Sequence, residues 1–257
     1  MRARAGGAAG AGYDPPMPWY KDWFGEEYLE LYSHRDESEA EEHVDFVERN
    51  LTGPRPRAVL DLACGAGRHT AALRRRGFRT LGLDLSMTLL ARMRASGLPR
   101  VAGDMRRLPF TDGSFDWVLN FFTSFGYFER ERENFRVLEE IVRVLPTGGR
   151  FLIDLMNPGT ALEHLRPRGT EPLEDGVAEV ERWLDPATQR INKRITVRSS
   201  AEPPRAFLES VRLYQPEEVT IGLRWAGLEV DGLFGNFQGD PYARDSERLI
   251  LIGHKPA

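Results

Sequence analysis

Hydrophobic residues in the middle of the chain fall into short continuous runs separated by longer amphipathic stretches. Five runs predict strands: RAVLDL (57–62), RTLGLDL (79–85), PRVAGD (99–104), SFDWVLNFF (114–122) and GRFLIDLM (149–156). Helical patterns lie between them in RHTAALRRRG, SMTLLARMRAS and ENFRVLEEIVRVL (133–145). Strands that are apolar on both faces and are connected by helices indicate a parallel sheet covered on both sides.

The pattern changes after Pro158, where polar and apolar residues begin to alternate. VAEVERWLD, RINKRITVRS and RAFLESVRLY predict an antiparallel meander with one solvent-facing side. The helix QPEEVTIGLRWAG and the strands LEVDGLFGNF and RLILIGHK (248–255) then resume the earlier pattern. We therefore predict one doubly wound α/β core, formed by residues 54–159 and 215–257, with a β-rich insertion at 160–214.

The N-terminal part of the chain differs from the rest in composition. Residues 1–16 are a Gly/Ala/Pro tract that we expect to be a disordered tail. Residues 17–53 start with the aromatic and acidic stretch MPWYKDWFGEEYLELY and continue into a helical pattern, which suggests a lid beside the core.

Charge and cysteine content narrow the class of protein. The net charge of −4, with both signs spread along 257 residues, argues against nucleic-acid or membrane binding through bulk charge. The single cysteine, Cys64, excludes an internal disulfide and fits a reducing compartment. Apolar stretches of membrane-spanning length and a signal-peptide layout are both missing, so we expect a cytoplasmic protein.

The end of the first predicted strand carries the strongest signal for a binding site. Asp61 is followed by Leu-Ala-Cys-Gly-Ala-Gly, so the small residues Ala63, Gly65 and Gly67 lie between a buried strand and a helix. Open parallel sheets bind ligands beyond the carboxyl ends of their strands, and small residues let the backbone approach a ligand closely. A dinucleotide fingerprint would require a third glycine at residue 70, which is Thr70, so a nicotinamide-dependent oxidoreductase is disfavoured.

Two further acids close the next two strands. Asp84 ends the second strand, where a carboxylate can accept both hydrogen bonds of a ribose diol. Asp104 ends the third strand. Together with the small-residue turn, these acids predict a nucleoside-binding site.

The arrangement acid-x-Ala-x-Gly-x-Gly at 61–67 resembles motif I of the class I S-adenosylmethionine-dependent methyltransferases. The resemblance runs from about residue 20 to the end of the chain. It implies a seven-stranded Rossmann-like sheet whose last strand is antiparallel, with S-adenosylmethionine as cofactor. It also implies that Asp104 accepts from the adenine amino group and that Asp61 lies near the methionine amino group. The implied cofactor-binding residues are Arg35, Asp61, Ala63, Gly65, Gly67, Asp84, Leu85, Asp104, Met105, Asn120 and Phe121.

Other residues constrain the methyl acceptor. Asn120-Phe121-Phe122-Thr123 occupies the place where adenine and glutamine N-methyltransferases carry Asn/Asp-Pro-Pro-Tyr/Phe, and the missing prolines argue against those substrates. Asp154 and Asn157 are not adjacent, unlike the Asp-Asn pair of metal-dependent O-methyltransferases. The five histidines show no ligand spacing, so no metal site is predicted.

FFTSFGYF (121–128) resembles the S-x-G-H segment of bacterial sugar-amine N,N-dimethyltransferases and the N-S-F-A-H segment of glycine N-methyltransferases. Tyr127 stands at the histidine position, and a phenol with a pKa near ~10 is a weak base at neutral pH. Tyr127 is the candidate catalytic residue, either orienting the nucleophile or only packing against the lid. Tyr32, Tyr127, Arg212 and Tyr214 are the candidate substrate-binding residues. Arg212 and Tyr214 share one strand face and point either into the cleft or to solvent.

The sequence therefore predicts methyl transfer from S-adenosylmethionine to an amine or hydroxyl of a small molecule. The alternative is a catalytically silent methyltransferase-like module that binds cofactor or a partner. No nucleic-acid or membrane partner is expected, and a homodimer is left open.

Overall fold

The computed structural model describes residues 18–32, 37–51, 53, 55–200 and 203–257. The strands, in chain order, are β1 Val59–Leu62, β2 Thr80–Asp84, β3 Arg100–Ala102, β4 Trp117–Asn120, β5 Arg150–Met156, β6 Arg168–Leu173, β7 Gly176–Asp185, β8 Arg190–Arg198, β9 Arg205–Arg212, β10 Glu229–Phe234 and β11 Arg248–His254. The helices are α1 Trp19–Asp22, α2 Glu26–Leu31, α3 Glu37–Asn50, α4 Arg68–Arg75, α5 Met87–Ala95, α6 Glu131–Val144, α7 Pro158–Glu163 and α8 Pro216–Ala226.

Seven strands form one sheet in the order β10-β11-β5-β4-β1-β2-β3. β1 to β5 pair in parallel, and β11 is antiparallel to both of its neighbours, β5 and β10. The predicted doubly wound sheet with a reversed last strand is confirmed. The winding direction reverses between β1 and β4, and this reversal is where such sheets bind ligands.

The remaining four strands form a separate antiparallel sheet in the order β6-β7-β8-β9. The sequence predicted β7, β8 and β9 but missed β6. This edge strand contains Gly169 and Pro172, pairs only with β7 and is largely exposed, so it lacks the apolar alternation of its neighbours. We call this four-stranded unit the inserted sheet.

Both faces of the seven-stranded sheet are covered by helices. On one face α3 and α4 contribute Phe46, Val47 and Leu73 to a cluster with Leu119 and Ile250. On the other face, residues of α6 and α8 pack over further core strand residues. This two-sided burial explains why the central strands are apolar throughout.

The segment containing α1 and α2 packs against the inserted sheet and also contacts the main core, where Tyr20 packs against Phe128. Trp23, between the two helices, is fully buried in a cluster with Ala178, Ile195 and Phe207. Within the described ranges, no helix combines the length and apolar character required to cross a bilayer.

Candidate active site

A cavity of about 1040 Å³ lies at the carboxyl ends of β1, β2 and β4. It extends from the 63–67 turn to the inserted sheet and the α1–α2 segment. Cavities for drug-sized ligands are usually ~300–1,000 Å³, so this one has room for a nucleoside together with a second molecule. We call its two parts the turn end, formed by residues 63–67, 84–85 and 104–105, and the aromatic end, walled by Trp19, Phe24, Tyr32, Tyr127 and the facing strands of the inserted sheet.

The 63–67 turn requires a left-handed backbone at three positions. Ala63, Gly65 and Gly67 have φ values of 59°, 57° and 87°. A Cβ at Gly67 would lie 2.8 Å from Met93 Cγ, so the turn also needs glycine for space. Gly67 provides no side-chain cap for α4.

Asp84 is held at the turn end by backbone donors. Its Oδ2 accepts from the Gly65 amide and its Oδ1 from the Ser86 amide, both at 2.8 Å. Burial raises the pKa of this carboxyl above its ordinary value. Each oxygen keeps a second lone pair for a hydroxyl donor. The next residue, Leu85, is 37% exposed and lines the cavity, so an apolar surface lies beside the acid.

Asp104 also lines the cavity, as does Met105, but its carboxylate is bound by a residue that the sequence did not single out. Arg106 donates to both oxygens, through Nε at 3.0 and 3.1 Å and through Nη2 at 2.6 Å. Partial burial opposes ionisation, but the Arg106 hydrogen bonds lower the pKa of Asp104. The Arg106 guanidinium also lies 4.3 Å from the Phe128 ring centroid, and this contact helps to fix its position. A ligand amino group that binds Asp104 would therefore share the carboxylate with Arg106.

Asp61 and Asn120 lie beneath the turn, and neither side chain lines the cavity. Asp61 is 1% exposed and accepts from the Thr70 hydroxyl at 2.6 Å, while burial raises its pKa to about 7. Asn120 donates to the Leu62 carbonyl at 2.8 Å. Its Oδ1 is buried and has no hydrogen-bond partner among the described residues. Such an orphaned acceptor costs ~1–3 kcal/mol.

The floor between the two ends is a strained segment after β4. Phe122 and Thr123 have φ values of 61° and 58°, a region that non-glycine residues rarely adopt. The fully buried Asp154 holds this conformation by accepting from the Phe122 amide at 2.7 Å. Arg248 pairs with the same carboxylate at 2.8 Å and donates to the Thr123 hydroxyl. Strain supported in this way is typical of functional sites.

A buried pair of histidines adjoins this floor. The distance between His43 Nδ1 and His69 Nε2 is 2.9 Å, and His69 stacks on Phe121, whose ring centroid is 4.1 Å away. Burial lowers the pKa of His43 to about 3 and that of His69 well below its ordinary value, so both rings are neutral at physiological pH. His69 and Phe121 line the cavity; sequence spacing gave no sign of the histidine pair.

At the aromatic end, Tyr127 packs against the α1–α2 segment. Its ring centroid lies 4.8 Å from that of Trp19 and 5.8 Å from that of Phe24. The Trp19 indole donates to the Tyr127 carbonyl at 3.4 Å. Tyr127 therefore contributes its ring to the cavity wall while its backbone contacts the N-terminal segment.

Charged side chains complete the aromatic end. Arg182, Lys193 and Glu209 are direct neighbours across β7, β8 and β9, and all three line the cavity. Glu209 accepts from the Trp23 indole at 2.5 Å and from the Tyr32 hydroxyl at 3.0 Å. Lys193 Nζ lies 3.8 Å from the same carboxylate. The sequence did not identify these three residues, because alternating strand positions can face either solvent or a cleft.

The structure places two predicted substrate residues outside the cavity lining. Tyr214 is 6% exposed, donates to Glu131 at 2.6 Å and packs on Phe125. Arg212 pairs with Glu218 at 2.9 Å. These contacts place both side chains behind the 121–128 segment. Arg35, one of the implied cofactor-binding residues, lies outside the described residues.

This strand order, with a small-residue turn after the first strand and acids after the next two, defines the class of S-adenosylmethionine-dependent methyltransferases with a Rossmann-like sheet. The described residues hold no group of three side chains that could ligate a metal ion. The turn end has the backbone amides, acids and apolar surface that a charged nucleoside cofactor requires.

Comparisons with known proteins agree with this assignment. The family described as "Methyltransferase domain" matches residues 60–153. The chain is 34% identical over 207 residues to the cypemycin N-terminal methyltransferase of a Streptomyces species, covering 76% of this chain and 82% of that protein. It is 39% identical over 180 residues to a demethylmenaquinone methyltransferase of Mycobacterium tuberculosis, covering 66% and 69% of the two chains.

Solved structures show the same fold at low sequence identity. The CcbJ methyltransferase of Streptomyces caelestis superposes with a TM-score of 0.77 at 20% identity, over 91% of this chain and 98% of that one. The sugar N-methyltransferase KedS8 of a Streptoalloteichus species gives a TM-score of 0.70 at 22% identity, over 99% and 100%. The chain belongs to the S-adenosylmethionine-dependent methyltransferase family, and S-adenosylmethionine is its cofactor.

Proposed function

We propose that this enzyme methylates an amine of a small molecule that binds at the aromatic end of the cavity. The observation that carries the proposal is the continuity of the cavity, which joins the turn end to a chamber walled by aromatic rings and by Glu209. A cofactor at the turn end and an acceptor at the aromatic end would meet above the 121–124 segment.

At the turn end, Asp84 would accept from the ribose hydroxyls, with Leu85 beside the sugar. Asp104 would share its carboxylate between Arg106 and the adenine amino group, with Met105 next to the ring. Ala63, Gly65 and Gly67 would let the backbone approach the methionine part closely. Asp61 and Asn120, both beneath the turn, would support its backbone, since Asp61 accepts from Thr70 and Asn120 donates to the Leu62 carbonyl.

When bound, S-adenosylmethionine supplies a methyl group made electrophilic by its sulfonium. The protein then has to exclude water, present the acceptor nitrogen in line and accommodate the proton that the nitrogen loses. Positioning of this kind can contribute ~7–11 kcal/mol. The α1–α2 segment within residues 17–53 and the insertion at 160–214 would provide the cover, and Tyr127 would set the position of the nitrogen.

The wall of the aromatic end favours an amine over a hydroxyl. Aromatic rings attract a cation through their faces, with energies of ~0.5–2 kcal/mol. Four of the rings come from Trp19, Phe24, Tyr32 and Tyr127. The charge of Glu209 is offset by Lys193, which lies 3.8 Å from it, so the rings carry the argument. A protonated amine gains from the ring faces, whereas a neutral hydroxyl does not.

The names of two similar proteins support the same chemistry, whereas the mycobacterial relative is a demethylmenaquinone methyltransferase. The Streptomyces relative is an N-terminal methyltransferase, and one of the solved structures with this fold is a sugar N-methyltransferase. The first is 34% identical to the chain and the second 22%, so the first is the more informative of the two.

The test is methyl transfer from labelled S-adenosylmethionine to matched pairs of small molecules that differ only in carrying an amine or a hydroxyl. We expect label in members of the amine set and none in their hydroxyl partners. Transfer to the hydroxyl set alone would overturn the proposal. An Asp84→Asn variant assayed in parallel separates enzymatic transfer from spontaneous methylation.

A further inference from the structure

Arg190 is a buried cation that the chemistry proposed above does not use. It is the first residue of β8, is 6% exposed and forms its hydrogen bonds with neutral groups. Burial lowers the pKa of this guanidinium below its ordinary value. A buried charge costs several kcal/mol unless protein groups replace its contacts with water. The Arg190 guanidinium therefore needs a specific set of hydrogen-bond acceptors.

Those acceptors are three successive carbonyls of the 121–128 segment and one residue of β9. Nη1 donates to the Phe128 carbonyl at 3.0 Å, and Nη2 donates to the Gly126 and Tyr127 carbonyls at 3.1 and 2.9 Å. On the other side, Nε donates to the Ser210 hydroxyl at 2.8 Å and Nη2 to the Ser210 carbonyl at 2.5 Å. One guanidinium thus joins the inserted sheet to the segment that carries Tyr127.

The local backbone is arranged to suit this contact. Gly126 has a φ of 97°, and a Cβ there would lie 3.0 Å from the Arg212 carbonyl. The Gly126 carbonyl also accepts from the Arg212 amide at 3.0 Å. On the far side, Asn134 exchanges two hydrogen bonds with the Phe128 backbone, at 3.1 and 3.0 Å. The carbonyls of 126–128 therefore converge on one point, where Arg190 lies.

We propose that Arg190 is a positioning residue, which fixes Tyr127 and its neighbours at the aromatic end so that the acceptor is held in line with the methyl group. This inference rests on the proposed function. Arg190 does not line the cavity and acts only through the 126–128 backbone. Its effect should therefore fall on turnover of the acceptor and leave cofactor binding at the turn end unchanged.

An Arg190→Lys variant tests this directly. Lysine keeps the charge but offers three donors from one atom, which cannot reproduce the planar fork. We expect kcat for an amine acceptor to fall about 10- to 100-fold, since a misplacement of ~1 Å can cost ~10²-fold. The affinity for S-adenosylhomocysteine should stay within about twofold of the parent value. Guanidinium ion at millimolar concentration should restore part of the activity of Arg190→Ala.

Hydrogen exchange provides a readout that needs no acceptor. Amides of residues 126–129 should exchange faster in Arg190→Lys, while amides of β1, β4 and β5 keep their protection. The matched control is Arg194→Lys on the same strand, whose side chain is 57% exposed and pairs with Glu181. It should change neither kcat nor exchange.

Three outcomes would overturn the inference. One is parental kcat in Arg190→Lys, and another is unchanged exchange at 126–129. The third is a loss of S-adenosylhomocysteine affinity as large as the loss of kcat, which would indicate a general structural role. If the parent enzyme methylates no amine, the proposed function fails, and the exchange measurement still decides whether Arg190 fixes the segment.

Discussion

The two ends of the cavity are built in opposite ways. At the turn end, contacts join residues close in sequence: the Gly65 amide and the Asp84 carboxylate are 19 positions apart. At the aromatic end, Trp23 and Glu209 are 186 positions apart, and Trp19 and Tyr127 are 108 apart. The proposed cofactor site is therefore encoded in local turns of the sheet. The proposed acceptor site depends instead on three separate segments packing together.

The largest expected effect comes from a substitution in the floor between the two ends of the cavity. Asp154→Ala would leave Arg248 without its carboxylate and remove the support of the strained Phe122. Removing one partner of a buried ion pair costs ~3–5 kcal/mol. We expect a loss of that size in the free energy of unfolding, measured by urea denaturation. The control Asp112→Ala removes a carboxylate that is 83% exposed and should change the value by less than about 0.5 kcal/mol. Equal losses in the two variants would refute the role of Asp154.

The next prediction concerns a substitution that affects only the turn end. Asp84→Asn removes the charge that accepts from the Gly65 and Ser86 amides and, by proposal, from the ribose. Hydrogen bonds to a charged group contribute ~1.5–3 kcal/mol, so the affinity for S-adenosylhomocysteine should fall about 10- to 100-fold in isothermal titration. Unchanged affinity would remove Asp84 from the cofactor site.

A matched substitution affects only the aromatic end. Glu209→Gln weakens the contacts with Trp23, Tyr32 and Lys193, so the KM for the acceptor should rise about tenfold. The affinity for S-adenosylhomocysteine should stay near the parent value, because Glu209 belongs to the inserted sheet. Steady-state kinetics with each substrate varied in turn provides the measurement. A parallel loss of cofactor affinity would mean that the two ends are not separate.

The last prediction concerns pH, where groups with opposite pKa shifts leave the smallest net effect. The folded pKa of His43, about 3, lies below its ordinary value of 6.5. Between pH 6 and 4 the unfolded chain therefore binds a proton that the folded protein does not. This linkage lowers the free energy of unfolding by about 1.4 kcal/mol per pH unit as pH falls. Asp61, with a folded pKa of about 7, acts in the opposite direction.

Comparing variants with the parent separates the contribution of His43 to the pH dependence of stability from the contributions of other groups. His43→Asn keeps a hydrogen-bonding group near His69 Nε2 but does not titrate, so its loss of stability between pH 6 and 4 should be smaller than that of the parent. His164→Asn, at an exposed position, should follow the parent curve. Identical slopes for all three proteins would contradict the assignment of a neutral buried pair.

The difference between local contacts at the turn end and long-range contacts at the aromatic end also decides what could be predicted from sequence. Continuous apolar runs, helix stops and the 61–67 turn are local signals, and they predicted the sheet, its winding and the small-residue turn. Arg190, Lys193 and Glu209 could not be found in this way, since an alternating strand has the same pattern whichever face it buries. Tyr214 is a candidate substrate residue by sequence because it alternates with Arg212, and this alternation does not distinguish a face toward the cleft from a face toward solvent. Its bond to Glu131 depends on the placement of α6, which no local pattern indicates.

Cys64, the one cysteine of the chain, lies in the turn at 6% exposure with its thiol 3.8 Å from the Met93 sulfur, and burial raises its pKa well above the ordinary value. Thiolate is the form that reacts with maleimides and iodoacetamides, so the native thiol should resist such reagents. A second cysteine engineered at an exposed position would then take a fluorophore selectively. With two such cysteines carrying a donor and an acceptor, distances across the cavity become measurable by energy transfer.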